Sequence, residues 1–168
     1  MGIDLCEARL GDRGIIAALL DDYLRELADY REIAVGATDA ASYSYLDAYF
    51  AESGRHAFII RREGTAVGFA LIRDPTSTGR VWQVAEFYIT PASRRVGIGR
   101  DAIASIWCRF PGAWELQVHA RNIAALRFWT SCAEGWGQEA PQVIEVEAED
   151  GKRFQFNFCV NQARQTRR

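Results

Sequence analysis

The stretch that decides the fold is AEFYITPAS at 85–93, followed at once by RRVGIGR at 94–100 and then by apolar residues at helical spacing. Its first part reads as an extended strand. Gly97 and Gly99 let the backbone turn with positive φ and bring successive N–H groups close to an anion, because no β-carbon stands in the way. The helix that follows adds the free amides of its first turn and the positive end of its dipole. The stretch predicts a phosphate-binding turn, the alternative being a tight strand-to-helix turn without a ligand.

Two common nucleotide-binding motifs fit this stretch poorly. A Rossmann fingerprint is G-x-G-x-x-G, whereas here Gly99 is followed by Arg100-Asp101-Ala102. A P-loop requires a lysine followed by Ser or Thr, and the only lysine of the chain is Lys152. The two glycines therefore indicate a different kind of phosphate site.

Length, charge and cysteine usage are those of one globular domain. A chain of 168 residues buries about 70% of the surface that its unfolded form exposes, so it needs no disulfide or metal for stability. The formal charge of −2 argues against nucleic-acid binding, charged tRNA included. Four cysteines occur singly in apolar surroundings, without a His at metal-ligand spacing, and are expected to be buried free thiols: Cys6, Cys108, Cys132 and Cys159.

The sequence gives no indication of a signal peptide or a membrane span. Asp4, Glu7 and Arg9 interrupt the start of the chain, and no apolar run approaches the length that crosses a bilayer. We therefore expect a cytoplasmic protein with a single domain at 1–163 and a frayed basic tail at 164–168.

Periodicity predicts the order of helices and strands. Strands are predicted at 3–8, 56–62, 66–73, 81–90, 114–120, 142–148 and 153–160, and helices at 12–27, 42–51, 99–110 and 122–133. Two dipeptides, Glu63-Gly64 and Asp150-Gly151, indicate hairpin turns between neighbouring strands, and the second is typical of a type I′ turn.

Three features of the sequence together resemble the GNAT acetyltransferase superfamily. A strand ends in Ile89-Thr90-Pro91, the R-x-x-G-x-G motif follows at 94–99, and the strand LQVHA at 116–120 leads to Asn122 at the start of a helix. The resemblance covers most of the chain. It implies an α/β (α+β) GNAT fold, with a mixed, mostly antiparallel sheet of six to seven strands, helices on both faces and a central pair of strands that splays apart.

The same resemblance implies acetyl-CoA as a co-substrate. The pantetheine arm would lie between the splayed strands, and the pyrophosphate would bind the amides at 95–100. The residues that this implies for acetyl-CoA binding are Phe87, Tyr88, Ile89, Arg94, Arg95, Val96, Gly97, Ile98, Gly99, Arg100, Asn122 and Trp129.

Direct acetyl transfer to an amine needs a base, because an amine is protonated at neutral pH. Glu86 is the first candidate, since acetyltransferases of this superfamily often carry an acid near that position. Glu115 and His119 are alternatives, and they share one face of their strand with Gln117 by the period of two. Some relatives have a catalytic Glu where Gln117 stands, and Gln cannot take a proton.

Trp129 departs from the family pattern, in which many members have a Tyr that protonates the leaving thiolate. An indole N–H can donate a hydrogen bond but is no practical acid. The alternatives are therefore an N-acetyltransferase that manages without that acid, acting on a small-molecule or protein amine, and a CoA-binding regulatory module with little turnover. A homodimer is possible in either case.

The acceptor is expected to bind beside the slot, against a wall of aromatic and polar residues. The candidates for this wall are Tyr23, Tyr30, Arg31, Glu32, Tyr43, Tyr45 and Trp136.

Overall fold

The computed structural model describes residues 2–31, 36–76 and 80–161, which include all the predicted strands and helices. The strands are β1 (Asp4–Glu7), β2 (Arg55–Arg62), β3 (Thr65–Arg73), β4 (Val81–Ile89), β5 (Gly112–His119), β6 (Gln142–Ala148) and β7 (Gly151–Val160). The helices are α1 (Arg13–Ala28), α2 (Ala48–Ala51), α3 (Ile98–Arg109) and α4 (Ile123–Trp136). The tail predicted at 164–168 lies outside the described residues.

The strands form one seven-stranded sheet in the order β1-β2-β3-β4-β5-β7-β6. Neighbouring strands are antiparallel, except that β4 and β5 run parallel. A parallel pair needs a long crossover connection, and α3 provides it. The mixed, mostly antiparallel sheet implied by the resemblance is confirmed.

β4 and β5 separate part-way along their length. Their pairing begins at Val81 and Ala113 and ends at Val84 and Leu116. Beyond that point β4 stays paired with β3, and β5 stays paired with β7. The two facing edges therefore do not pair with each other, and the splayed central pair is confirmed.

Helices cover both faces of the sheet, as predicted. On one face α1 buries Leu20 and Leu24 against Phe69 of β3, because apolar residues at helical spacing form a single stripe. On the other face α3 and α4 contribute Trp107 and Trp129 to a core that includes β5. Each large apolar side chain buried in this way stabilises the fold by about 1.5–3 kcal/mol.

A β-bulge in β4 determines which way Glu86 faces. Leu71 pairs with Glu86 and Ile72 pairs with Val84, so Ala85 is an extra residue in β4. Without the bulge, Val84 and Glu86 would lie on the same face. With it, Val84 packs into the core under α3 and α4, whereas Glu86 lies on the α1 face, where β5 leaves β4.

The predicted helix at 42–51 is mostly wrong. Only Ala48–Ala51 is helical, and residues 37–47 form bends and turns. The Ser42 amide donates to Asp39 Oδ1 at 2.8 Å, and the Asp39 amide donates to Ser42 Oγ at 3.1 Å. Such local hydrogen bonds from side chains to the backbone compete with those of a helix.

The first hairpin turn agrees with the prediction, and the second differs from it. Glu63 and Gly64 both have positive φ, 51° and 79°, as a type I′ turn requires. In the second hairpin Ala148 pairs with Gly151, so the loop is 149–150, and the positive φ of 117° falls on Gly151. The type I′ turn at Asp150-Gly151 is therefore wrong, because Gly151 is already the first residue of β7.

The cysteines are free, but two of them are not buried as predicted. Cys6 and Cys159 are exposed, Cys108 is half-buried and Cys132 is buried. Cys6 and Cys159 lie in strands, where alternate side chains point to opposite faces, so apolar neighbours in sequence do not bury them. Burial raises the pKa of the Cys132 thiol to about 11.

Candidate active site

A cavity of about 450 Å³, called here the large cavity, opens where β4 and β5 separate. Asn122 and Trp129 line it from the side of α4, and Tyr23 and Tyr43 line it from the side of α1. The large cavity thus has walls on both faces of the sheet. A second cavity of about 290 Å³, called the small cavity, shares part of this wall, including Glu86.

Glu86 is half-buried between the two cavities, and its pKa is raised. Burial raises its pKa, although Tyr23, Tyr43 and the charges of Arg153 and Arg31 act in the opposite direction. The Tyr43 hydroxyl donates to Glu86 Oε1 at 3.0 Å. A carboxyl group with a raised pKa that faces a cavity is a candidate for acid–base chemistry.

Both tyrosines beside Glu86 keep their protons. Burial raises the pKa of Tyr23 and of Tyr43, and the nearby charge of Glu86 raises both further. The two hydroxyl groups are therefore donors toward the carboxylate at neutral pH.

The turn after β4 has the backbone geometry that an anion requires. Arg95 and Gly97 have positive φ, 64° and 90°, and α3 begins directly afterwards at Ile98. Gly97 is the N-cap and no side chain caps the helix, so the first amides of α3 stay available. A β-carbon built on Gly97 would meet no atom within 4 Å, so the turn is open on this side. These features fit a pyrophosphate group.

Gly99 does not turn the backbone with positive φ as predicted, because it lies inside α3, and its role is in packing instead. A β-carbon at this position would lie 3.3 Å from the Phe128 ring and 3.5 Å from Ile89. The absence of a side chain therefore lets α3 pack closely against α4 and the end of β4.

The arginines of the motif differ in what they contact. Arg94 donates from Nη1 and Nη2 to Glu26 at 3.0 and 2.6 Å and from Nε to the Ile89 carbonyl at 2.7 Å. Its guanidinium group thus joins the end of β4 to α1 and is already paired. Arg95 is exposed, and Arg100 donates to Ser131 Oγ at 2.8 Å. Arg94 therefore has its donors engaged within the protein, and a phosphate contact by the Arg95 side chain stays a prediction.

The residues expected along the pantetheine arm surround the split in the sheet. Phe87 packs on Trp129 with ring centroids 5.3 Å apart, and Trp129 is 7% exposed. Tyr88 and Ile89 are buried at the end of β4. Asn122 accepts from the Ala125 amide at 3.1 Å and so caps α4, which accounts for this Asn without a ligand. Its contact with CoA stays a prediction.

Glu115, Gln117 and His119 share one face of β5, as the period of two predicts, and line the two cavities. His119 is buried, and both ring nitrogens are engaged: Nε2 contacts the Asp150 carbonyl at 3.0 Å, and Nδ1 accepts from the Arg121 amide at 3.2 Å. This geometry leaves no ring nitrogen to accept a substrate proton. Glu115 accepts a hydrogen bond from Gln83.

Part of the wall expected for the acceptor is found in the cavities. Tyr23, Arg31, Tyr43 and Tyr45 line the large cavity. Trp136 instead packs against Trp107 in the core, with centroids 6.3 Å apart, and Tyr30 lines neither cavity. Glu32 lies outside the described residues.

Sequence reasoning missed several polar residues that strand pairing brings to the site. Arg73 pairs with Gln83, and Arg153 pairs with His119. Asp150 is buried and binds Arg153 through both oxygens, at 3.2 and 2.7 Å. The alternation of charged residues in these strands was visible in the sequence, but the partner of each strand was not.

The described residues contain neither a metal-binding cluster nor a membrane-spanning helix. In the described ranges, 2–31, 36–76 and 80–161, no group of three or more His, Cys, Asp or Glu side chains is placed to hold a metal ion. Within the same residues, no helix has the length and apolarity needed to span a membrane.

Comparisons with known proteins show where the same fold occurs. The fold is similar to that of an acetyltransferase from Thermus thermophilus, with 13% identity, a TM-score of 0.70 and coverage of 95% of this chain and 98% of that one. It is also similar to the ribosomal-protein-S18-alanine N-acetyltransferase of Escherichia coli, with 13% identity, a TM-score of 0.64 and 99% of each chain covered. A Bacillus anthracis protein solved in complex with acetyl coenzyme A has 13% identity and a TM-score of 0.62, with 96% of this chain and 100% of that one covered.

At these identities the structural likeness concerns the fold alone. No curated protein matches the chain in sequence. The family model described as the acetyltransferase (GNAT) family matches residues 19–133, which is more than half of the 168 residues. The chain therefore belongs to the acetyltransferase (GNAT) family.

Proposed function

We propose that the protein transfers an acetyl group from acetyl-CoA directly to the amine of a small molecule. Acetyl-CoA is the co-substrate of the family, and a protein of this fold has been solved with it bound. The observation that carries the proposal is the position of Glu86, a carboxyl group with a raised pKa in the cavity where β4 and β5 separate.

The residues around the split fit acetyl-CoA. The amides at the start of α3, behind Gly97, would hold the pyrophosphate. The open edge of β4 at Phe87 to Ile89 would pair with the amide groups of the pantetheine arm, since β5 does not occupy it. When bound, acetyl-CoA supplies a thioester, whose carbonyl carbon is the electrophile.

Glu86 would serve as the base. A bond forms between the amine nitrogen and the carbonyl carbon, and the bond from that carbon to sulfur breaks. The protonated amine loses two protons in all: Glu86 takes one, directly or through one water, and returns it to solvent, and the other ends on the departing sulfur. A raised pKa suits this role, because a base is most effective when its pKa lies closer to the working pH.

The departing thiolate would leave without an acid at position 129. A free thiol has a pKa of about 8.5, so its thiolate is a tolerable leaving group. The Tyr43 hydroxyl lines the large cavity, but it donates to Glu86 and its raised pKa makes it a poor acid. Water can protonate the thiolate as it departs.

The E. coli neighbour is named as an N-acetyltransferase of a ribosomal-protein alanine, so this fold supports amine acetylation. A small-molecule acceptor fits this chain better than a protein amine, because the acceptor side is a pair of cavities walled by Tyr23, Tyr43 and Tyr45. A CoA-binding module with little turnover is the second candidate, favoured by Trp129 at the position of the usual acid.

Release of free thiol from acetyl-CoA, measured across a panel of amines, tests the proposal. A calorimetric titration with CoA accompanies it. Thiol release that depends on an amine supports the enzyme. CoA binding without thiol release from any amine would favour the regulatory module, and the absence of CoA binding would exclude both.

A further inference from the structure

The small cavity carries more positive than negative side chains on its wall. Its guanidinium groups belong to Arg55, Arg73 and Arg153, and its carboxylates belong to Glu86 and Glu115. A ligand that fills this cavity therefore meets charges of both signs.

Two of these arginines are already paired with acids outside the small cavity. Arg153 donates to both oxygens of Asp150, at 3.2 and 2.7 Å. Arg55 donates from Nε to Glu52 Oε2 at 2.6 Å. The remaining cation of this wall is Arg73.

Arg73 has a hydrogen-bond partner but no acid beside it. Its Nε donates to Gln83 Oε1 at 2.5 Å, and within the described parts of the chain its Nη1 and Nη2 groups have neither an acceptor nor a carboxylate partner. The amide of Gln83 donates in turn to Glu115. Gln83 of β4 lies between Arg73 of β3 and Glu115 of β5. From the spacing of strands, the α-carbons of Arg73 and Glu115 are about 10 Å apart.

Glu86 lies within reach of the same ligand. It pairs with Leu71, and Arg73 lies two residues further along the same face of β3. Two strand residues span about 7 Å. Both side chains line the small cavity, so one small molecule can contact Glu86 at one end and Arg73 at the other.

We propose that the acceptor is a small amino acid, whose amine lies at Glu86 and whose carboxylate binds the Nη groups of Arg73. This inference rests on the proposed function, because it assigns the substrate class of the same site. The planar guanidinium group presents two parallel N–H donors, which match the two oxygens of a carboxylate. The tyrosines of the wall, Tyr43 and Tyr49, would flank the carbon chain between the two charges.

The charge balance favours a carboxylate over a phosphate. A phosphate group carries close to two negative charges at neutral pH. It would lie beside the carboxylates of Glu86 and Glu115 with a single unpaired guanidinium to balance it. A carboxylate carries one charge, and Arg73 matches it.

Matched pairs of acceptors test this assignment. The acceptors are glycine, β-alanine and γ-aminobutyrate, each compared with its own carboxamide, which keeps the amine but loses the negative charge. Thiol release from saturating acetyl-CoA gives kcat and KM for each. We expect the wild-type protein to favour at least one acid over its carboxamide by about tenfold or more in kcat/KM, as a charge-assisted bidentate contact allows.

Variants of Arg73 assign the preference to this side chain. Arg73→Gln should raise the KM for the preferred acid about tenfold. The kcat for that acid, and both kcat and KM for its carboxamide, should stay nearly unchanged, so that the preference for the acid disappears. Arg73→Lys should restore part of it. Arg61→Gln is the matched control, because Arg61 contacts the Gly64 carbonyl in the turn between β2 and β3 and lies outside both cavities.

Binding measurements separate this inference from the proposed function. Titration of each acid and carboxamide into the CoA-saturated protein should show tighter binding of an acid in the wild type and not in Arg73→Gln. If no amine releases thiol but binding depends on Arg73 in this way, the carboxylate site stands and the proposed function fails. If amines are acetylated with the same preference in wild type and Arg73→Gln, the function stands and this inference is overturned.

A measurement on the wild type covers the case in which Arg73→Gln does not fold. Butyrate should compete with the amine acceptor much more strongly than butyramide, because only butyrate carries the negative charge and the two equivalent oxygens that pair with the guanidinium group. Equal inhibition by the two compounds would overturn the assignment. Failure of butyrate to inhibit, even at concentrations well above the KM of the preferred acid, would overturn it as well.

Discussion

The Tyr43 hydroxyl donates to Glu86 Oε1 at 3.0 Å and so joins the irregular segment before α2 to the bulged centre of β4. Two local departures from regular structure meet in this hydrogen bond. The bulge at Ala85 turns Glu86 toward the α1 face, and the turns at 37–47 bring Tyr43 over it. The hydrogen bond stabilises the carboxylate form, whereas burial favours the neutral form.

Removal of this hydrogen bond should shift the pH dependence of the reaction. Burial holds the pKa of Glu86 above its ordinary value of 4.5, and the contact with Tyr43 lowers it. Tyr43→Phe should therefore raise the pKa, so that activity is lost at a higher pH on the acid side of the kcat/KM profile. Tyr30→Phe, at a tyrosine that lines neither cavity, should leave the acid limb in place. An unchanged acid limb in Tyr43→Phe would exclude Glu86 as the titrating base.

Replacement of Glu86 by Gln should separate catalysis from binding. Gln keeps the size of the side chain but cannot take a proton, so turnover should fall about a hundredfold or more. Acetyl-CoA affinity, measured by calorimetry, should stay at the wild-type value. Glu134→Gln, on the exposed surface of α4, is the control. Wild-type turnover in Glu86→Gln would move the base to Glu115 or to an ordered water.

The same substitution should stabilise the fold at neutral pH. The folded-state pKa of Glu86 is raised, so the folded protein binds a proton more readily than the unfolded chain, and stability falls as the pH rises through that pKa. Glu86→Gln removes the buried charge. Its melting temperature should exceed that of the wild type at pH 7, and the difference should vanish below pH 4.5, the ordinary pKa. A melting temperature below that of the wild type at pH 7 would contradict this account.

Gly97→Val should weaken acetyl-CoA binding more than it destabilises the fold. Gly97 has a φ of 90° and open space around it, and Gly64, in a turn outside both cavities, has a φ of 79° and equally open space. Valine is strained at both positions, because a branched β-carbon disfavours positive φ. Gly64→Val is therefore the matched control and should lose about as much stability as Gly97→Val. Only Gly97→Val should weaken CoA binding, by about tenfold or more, as the loss of one charge-assisted contact allows. Equal CoA affinity in the two variants would remove the pyrophosphate from this turn.

Gly99→Val should behave differently from Gly97→Val. Its side chain would push against the Phe128 ring, 3.3 Å from the β-carbon, and overpacking typically costs about 1–3 kcal/mol. We therefore expect a melting temperature below that of the wild-type protein, caused by packing strain rather than by the backbone strain of Gly97→Val. Thermal unfolding monitored by circular dichroism measures this, and a melting temperature equal to that of the wild type would show that α3 shifts to accommodate the side chain.

Sequence periodicity predicted most of the fold because helices and strands repeat over many residues. The strands on either side of Glu63-Gly64, for example, follow from alternation and from a dipeptide that favours positive φ. The structure of the segment at 42–51 could not be predicted from periodicity in the same way. Its aromatic spacing is helical, but the hydrogen bonds between Asp39 and Ser42 override that preference before Ala48.

The candidate site was less predictable, because its residues come together through strand pairing. The turn at Gly97 could be recognised because the residues that form it are neighbours in sequence. The direction in which Glu86 faces depends on a bulge that appears only in the register of β3 and β4. Arg73 and Glu115 are 42 positions apart in sequence, and only the pairing of three strands places them on either side of Gln83.

Trp129→Tyr tests whether protonation of the leaving thiolate limits the reaction. Trp129 is 7% exposed, packs edge-on against Phe87 and lines the large cavity. A tyrosine would supply the hydroxyl group that many family members have, but the smaller ring would leave a gap beside the thioester. We expect unchanged or lower turnover and a lower melting temperature.

Trp136→Tyr is the matched control for this substitution. Trp136 packs against Trp107 at 6.3 Å, as Trp129 does at 6.4 Å, but it does not line the large cavity. It should lose stability without a change in turnover, which separates packing from chemistry. A clear gain in turnover in Trp129→Tyr, with acetyl-CoA affinity unchanged, would mean that the missing acid limits the wild-type enzyme. That result would also strengthen the alternative in which the natural protein mainly binds CoA, because the indole would then be what holds turnover down.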